Sequence, residues 1–71
     1  MRKQYFYTIK RDGKFINSNS MKEDTDVISE AISFSDEESV LYYWNTPVVK
    51  KMRDVCDMKI VEVECICREY C

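Results

Sequence analysis

The sequence predicts one α+β domain spanning residues 1–71, in which a small antiparallel sheet packs on helical structure. Three observations support this class. A hairpin signal lies at Asp12-Gly13, a capping-box pattern begins at Ser35, and residues 59–70 alternate apolar and polar side chains. The predicted order is a hairpin, a third strand, one kinked helix or two consecutive helices, and a C-terminal strand.

The hairpin is predicted from turn chemistry. Residues 4–11 are rich in aromatic and β-branched side chains, and Asp12-Gly13 separates them from residues 14–17. A two-residue turn at this position pairs Ile9 with Ile16. Because side chains alternate along a strand, the inner face then carries Tyr5, Tyr7, Ile9 and Ile16, and the outer face carries Phe6, Thr8, Lys10 and Phe15.

The segment after the hairpin is less regular. Residues 17–26 are mostly polar, which predicts a solvated loop. Residues 27–34 fit either a strand or a helix, and we favour a third strand because Ile28, Ile32 and Phe34 then share one face.

Helical structure is predicted from Ser35 onward. Ser35 and Glu38 match the capping box, in which both side chains satisfy free backbone donors. Pro47 interrupts the region, so it forms either one kinked helix or two helices with Thr46 as the second cap. In both cases one apolar stripe is expected to be buried: Leu41, Trp44, Val48, Met52 and Val55.

The C-terminal alternation predicts a long strand. Val61, Val63, Cys65 and Cys67 fall on one side and are expected to face the core, whereas Glu62, Glu64 and Arg68 fall on the wet side. A strand longer than usual either crosses the sheet centrally or presents an edge that can pair with a second copy or a partner.

Four cysteines, at positions Cys56, Cys65, Cys67 and Cys71, are enough in number for a tetrahedral zinc site. Their spacing lacks the close turn-borne pairs that zinc sites use, so we expect core or free thiols, with zinc as the alternative. The chain has no histidine and only one glycine, which removes the commonest general base and leaves no phosphate-cradling loop. A non-enzymatic protein without a cofactor or metal is predicted.

Charge and length narrow the class of partner. With 11 basic and 13 acidic residues the net charge is −2, which argues against general affinity for nucleic acid or anionic membranes. There is no apolar run of signal-peptide or membrane-spanning length, so a cytoplasmic location is expected. A chain of 71 residues has a thin core, which leaves a monomer and a homo-oligomer equally open.

Consecutive aromatic residues predict a protein-binding surface. A helix cannot bury three neighbouring side chains on one face, so part of the Tyr42-Tyr43-Trp44 triplet must face outward. Aromatic residues beside arginine are enriched at interface centres. The predicted contacts are Tyr42, Tyr43, Val49 and Arg53 on the helical surface, and Phe6 and Phe15 on the outer hairpin face.

The alternative function is binding of a nucleotide, single-stranded nucleic acid or another small anion by an oligomer. Lys10, Arg11 and Lys14 cluster at the hairpin beside aromatic side chains on which bases can stack. The acidic remainder of the chain would oppose the phosphates.

Three segments together resemble small accessory proteins of bacteriophages and other mobile elements: the hairpin, the acidic helix start Phe34-Ser35-Asp36-Glu37-Glu38, and the strand Lys59-Ile60-Val61-Glu62-Val63-Glu64. Many such proteins, anti-CRISPR proteins among them, inhibit host defence systems by binding and occluding an effector. The resemblance implies an inhibitory protein-binding function and assigns no role to an individual residue.

Overall fold

The computed structural model of the chain describes residues 2–67, with side chains described within residues 4–64. Its elements are β1 (Arg2–Arg11), β2 (Lys14–Phe15), α1 (Glu37–Trp44), α2 (Pro47–Val55) and β3 (Met58–Cys67). The three strands form one antiparallel sheet in the order β2-β1-β3. The predicted α+β class, with a small antiparallel sheet and two consecutive helices, is confirmed.

The hairpin turn has the predicted form. Asp12 and Gly13 adopt φ angles of 51° and 88°, the left-handed pair that a tight two-residue hairpin requires. The amide of Ile16 donates to the carbonyl of Ile9 at 3.0 Å, as the two-residue loop predicts. The turn is also tied to the start of β3, because the Asp12 amide donates to the Asp57 carbonyl at 2.7 Å.

Residues 27–34 are not the predicted third strand. Ile28–Glu30 form a single 3-10 turn, and the segment forms isolated bridges in place of a strand, from Ala31 to Asn17 and from Phe34 to Tyr7 in β1. The Thr25 hydroxyl donates to the Glu30 carboxylate at 3.2 Å, which favours the turn over an extended chain. Phe34 exchanges both backbone hydrogen bonds with Tyr7, at 2.8 and 2.9 Å, and so anchors the chain immediately before α1.

The first helix begins one residue later than the capping-box pattern predicts. Asp36, rather than Ser35, is the N-cap, and its carboxylate accepts a 2.7 Å hydrogen bond from the Ser39 amide. Thr46 is the cap residue of α2 and Pro47 its first helical residue, as one of the two predicted arrangements requires. The Thr46 hydroxyl points back to α1, where it donates to the Tyr43 carbonyl at 2.8 Å.

The core lies between the helices and one face of the sheet. Ile9, Ile16 and Val40 form its buried cluster. Partly buried side chains that pack against this cluster include Tyr7 from β1 and Tyr43 and Trp44 from α1. The predicted buried stripe is confirmed for Trp44, which packs against the core, and is wrong for Leu41, Val48 and Val55, which are 41%, 67% and 84% exposed. The break before Pro47 changes the helical phase, so the fully buried side chains of the helices are instead Val40 and Val49.

The inner face of the hairpin is confirmed for Tyr7, Ile9 and Ile16, whereas Tyr5 is 47% exposed. On β3 the predicted exposure of Glu62 and Glu64 is confirmed and Val61 and Val63 are half-buried, but these two valines are not among the side chains that pack against the buried core cluster. Ile60 lies opposite Ile9 and joins the core with Met58, whereas Val61 and Val63 lie opposite Thr8 and Phe6, on the face away from α1. The predicted orientation of Cys65 and Cys67 falls outside the described side chains, and Arg68 falls outside the described residues.

β3 lies at an edge of the described sheet, with β1 in the centre. Within residues 2–67, no helix has the length and apolar content needed to cross a bilayer.

Two valines of α2 provide a matched test of this core. Val49→Ala removes two fully buried methyl groups and should lower the free energy of unfolding by about 2 kcal/mol, or roughly 10 °C in Tm. Val55→Ala, at an exposed position of the same helix, should change it by less than about 0.5 kcal/mol. Urea and thermal unfolding followed by circular dichroism measure both values. Equal effects of the two substitutions would contradict the described packing of α2.

Candidate protein-binding surface

The most exposed apolar surface of the helices surrounds Tyr42. Its side chain is 81% exposed, and it separates two shallow grooves. The first groove is lined by Glu38, Leu41, Tyr42, Asn45, Thr46 and Pro47, and the second by Phe34, Asp36, Glu38, Ser39, Tyr42 and Tyr43. We call the residues Glu38, Leu41, Tyr42, Asn45 and Pro47 the Tyr42 surface.

The local fold explains why this surface is outside. Val40, Tyr43 and Trp44 pack toward the sheet, so the intervening positions Leu41 and Tyr42 turn away from it. The end of α1 is closed by its own side chains, because the Asn45 amide group donates to the Leu41 carbonyl at 2.9 Å. The Tyr42 surface is therefore held on a helix with a defined end.

The structure separates the four helical residues predicted as partner contacts. Tyr42 is exposed, and Tyr43 is half-buried, with its ring centroid 5.3 Å from that of Phe34. Val49 is fully buried, so it belongs to the core and is removed from the predicted surface. The guanidinium of Arg53 lies 4.6 Å from the centroid of the Trp44 ring, where it covers a core side chain.

The two phenylalanines of the outer hairpin face lie on the other side of the sheet from α1. Phe6 is opposite Val63 and Phe15 opposite Lys10, and both rings are half-buried. The ammonium group of Lys10 lies 5.1 Å from the centroid of the Phe15 ring. These residues and Tyr42 cannot contact one flat partner surface together.

The three cations of the predicted anion site do not converge. Arg11 donates to both carboxylate oxygens of Asp24, at 2.9 and 2.6 Å, and this hydrogen bonding raises the pKa of Arg11. Lys14 lies 3.9 Å from the Asp26 carboxylate. Since Lys10 points to the opposite face of the sheet, neither a nucleotide nor another small anion meets all three.

The described strand places Cys56 and Cys65, two of the four residues of the alternative zinc site, far apart. Cys56 is a half-buried free thiol just before β3. Cys65 lies seven residues beyond Met58 on the same extended strand, which is roughly 23 Å along the chain. Cys56 and Cys65 therefore cannot ligate one ion, and Cys71 falls outside the described residues. Among the described side chains no group of three potential metal ligands is found.

Carboxylates dominate the electrostatics near Tyr42. Residues 23–49 contain no lysine or arginine and seven acids: Glu23, Asp24, Asp26, Glu30, Asp36, Glu37 and Glu38. Burial raises the pKa of Tyr7, and the nearby carboxylates of Glu62, Glu37 and Asp36 raise it further. The pKa of Asp36 is lowered by its hydrogen bond from the Ser39 amide, so this carboxylate is ionised at neutral pH.

Four of the five members of this surface are not among the contacts that the sequence predicts: Glu38, Leu41, Asn45 and Pro47. The sequence pattern places Leu41 in the buried stripe and explains Glu38 by helix capping. The absence of basic residues from 23 to 49 was the available signal, because it predicts a continuous negative field around Tyr42.

Comparison with known proteins assigns no family to the chain. No protein-family model, curated protein or solved structure matches it. The function is therefore argued from the geometry and charge of this surface, together with the sequence resemblance given above.

The cap at Asp36 predicts a pH dependence. Because the pKa of Asp36 is lower in the folded chain than its ordinary value of 3.8, its charge stabilises the fold above that value. This contribution is lost as the pH falls through the folded pKa. Asp36→Asn, which keeps an acceptor oxygen, should therefore have a lower Tm than the unsubstituted chain at pH 7, and the difference should shrink as the pH falls through the folded pKa of Asp36.

Thermal unfolding between pH 2.5 and pH 7 measures this difference. Asp36→Ala, which lacks any acceptor, serves as the comparison and should remain less stable across the whole range. A constant difference in Tm between the Asp36→Asn variant and the unsubstituted chain would show that the charge of Asp36 does not stabilise α1.

Proposed function

We propose that the chain is a non-enzymatic protein-binding module that acts as a phage-type inhibitor, occluding a host defence effector such as a CRISPR nuclease. The observation that carries the proposal is the exposure of Tyr42, 81% of whose side chain is accessible on a helix otherwise fixed to the core. Tyrosine supplies a large contact area at a small entropy cost, which is why it is enriched among the residues that dominate binding.

The surroundings of Tyr42 support binding to a protein. Leu41 and Pro47 supply apolar groove walls, and Asn45 and Glu38 supply polar groups at the margin. An apolar centre with a polar rim is the usual composition of an interface patch. Val48, the residue after Pro47, is 67% exposed and extends the apolar area available.

Three of the described charged side chains have structural roles. Asp36 caps α1, Asp24 neutralises Arg11, and Arg53 covers Trp44. These contacts stabilise the fold, so they support a role in binding over a role in catalysis. The inhibitory role itself comes from the resemblance to phage accessory proteins and is the part that needs a cellular test.

A plasmid-interference assay tests the inhibitory role. Cells carrying one of a panel of CRISPR nucleases and a targeted plasmid should retain the plasmid when the chain is co-expressed. Tyr42→Ala should reduce this protection at least tenfold, because loss of a central aromatic contact typically costs more than about 1.4 kcal/mol of binding.

Val55→Ala is the matched control, since Val55 is equally exposed, at 84%, but lies outside the Tyr42 surface. It should protect the plasmid as well as the unsubstituted chain does. Circular dichroism confirms that both variants are folded. Full protection of the plasmid by the Tyr42→Ala variant would show that the Tyr42 surface is not the binding site. If the chain protects the plasmid against none of the nucleases in the panel, the inhibitory role is wrong.

A further inference from the structure

Glu38 is the charged group nearest to the centre of the Tyr42 surface. It borders both grooves, and it precedes Tyr42 by four residues, so the two side chains are neighbours on the outer side of α1. Among the described residues, Glu38 forms no ion pair. Its carboxylate and the Tyr42 ring are therefore both available to one bound group.

The other acids of the base-free segment are largely occupied. Asp24 binds Arg11, Asp26 lies 3.9 Å from Lys14, and Glu30 accepts from Thr25. Asp36, Glu37 and Glu38, at the start of α1, form no ion pair among the described residues. Asp36 and Glu38 also line the grooves on either side of Tyr42, so their negative charge lies beside the exposed apolar surface.

We propose that the Tyr42 surface binds a protein segment that presents an arginine next to an apolar side chain. The guanidinium stacks on the Tyr42 ring and pairs with the Glu38 carboxylate, and the apolar side chain enters the groove between Leu41 and Pro47. This inference rests on the proposed function and names the chemistry of the partner at the same surface.

Arginine fits this surface better than other cations do. Its planar guanidinium can stack on an aromatic ring and bind a carboxylate through two parallel hydrogen bonds, whereas the lysine ammonium is a strongly hydrated point charge. The chain itself shows both contacts, with Arg53 stacked 4.6 Å from the Trp44 ring centroid and Arg11 paired with Asp24. Nucleic acid and anionic lipid are disfavoured here, because their phosphates would face uncompensated carboxylates.

Synthetic peptides test the charge requirement directly. Four acetylated hexapeptides differ at a single position, which lies between two leucines. The residue at this position is arginine, citrulline, lysine or glutamate. Citrulline keeps the shape of arginine without its charge. Each is titrated into the ¹⁵N-labelled full chain, and amide shifts give the binding site and Kd.

The arginine peptide should shift the amides of Glu38 and Tyr42 and bind at least threefold more tightly than the citrulline peptide. Its affinity should fall when the salt concentration is raised from 50 to 500 mM, because the carboxylate contact is exposed. Glu38→Gln should reduce the affinity for the arginine peptide to that for the citrulline peptide. Glu23→Gln, an exposed acid in the same base-free segment, should leave it unchanged.

Equal affinity for the arginine and citrulline peptides, shifts confined to the hairpin, or no shifts would overturn the inference. The interference assay separates this failure from failure of the proposed function. If Tyr42→Ala abolishes protection while Glu38→Gln retains it, the inhibitory role stands and the arginine contact is wrong. If the arginine peptide binds as expected but no effector is inhibited, the partner chemistry stands and the inhibitory role is wrong.

Discussion

The missing amide hydrogen of Pro47 is the constraint on which the helical layer depends. In a continuous helix this position would donate to the carbonyl of Tyr43, and proline cannot. Thr46 supplies two donors to the Tyr43 carbonyl instead. Its amide donates at 3.1 Å and its hydroxyl at 2.8 Å. Since α1 ends there and α2 restarts in a new phase, Val49 turns inward and Val48 outward. The break also places Pro47 at the groove beside Tyr42, where it completes the Tyr42 surface.

The sheet is organised around β1, and its charges are compensated at the hairpin. Arg11 and Lys14 are directly opposite each other, which would destabilise the turn if both were unpaired. Two carboxylates of the polar loop compensate these charges, because Asp24 pairs with Arg11 and Asp26 lies near Lys14. These ion pairs engage Arg11 and Lys14 within the fold, whereas Asp36, Glu37 and Glu38 at the start of α1 form no ion pair among the described residues. This difference is what places the proposed cationic partner at the helices.

Features set by sequence neighbours were predictable, and features set by long-range register were not. Asp12-Gly13 determines its turn locally, so the hairpin pairing followed from the sequence. The helix start was misplaced by one residue because Ser35 and Asp36 both carry a suitable acceptor three residues before a helical position. On β3, Ile60, Val61 and Val63 are all apolar, so alternation could not choose the core face. Pairing of Ile60 with Ile9 makes that choice.

The edge strand β3 bears on the proposal that a partner binds at the helical surface. Sheet edges readily pair with another chain unless charge prevents it. If two copies paired antiparallel about Val63, Glu62 of one copy would lie opposite Glu64 of the other, and like charges at such positions are destabilising. The acidic side chains of β3 thus oppose this symmetric pairing of two copies. A contact at Tyr42 meets no such repulsion from a cationic partner, and it uses a surface already rigid before binding.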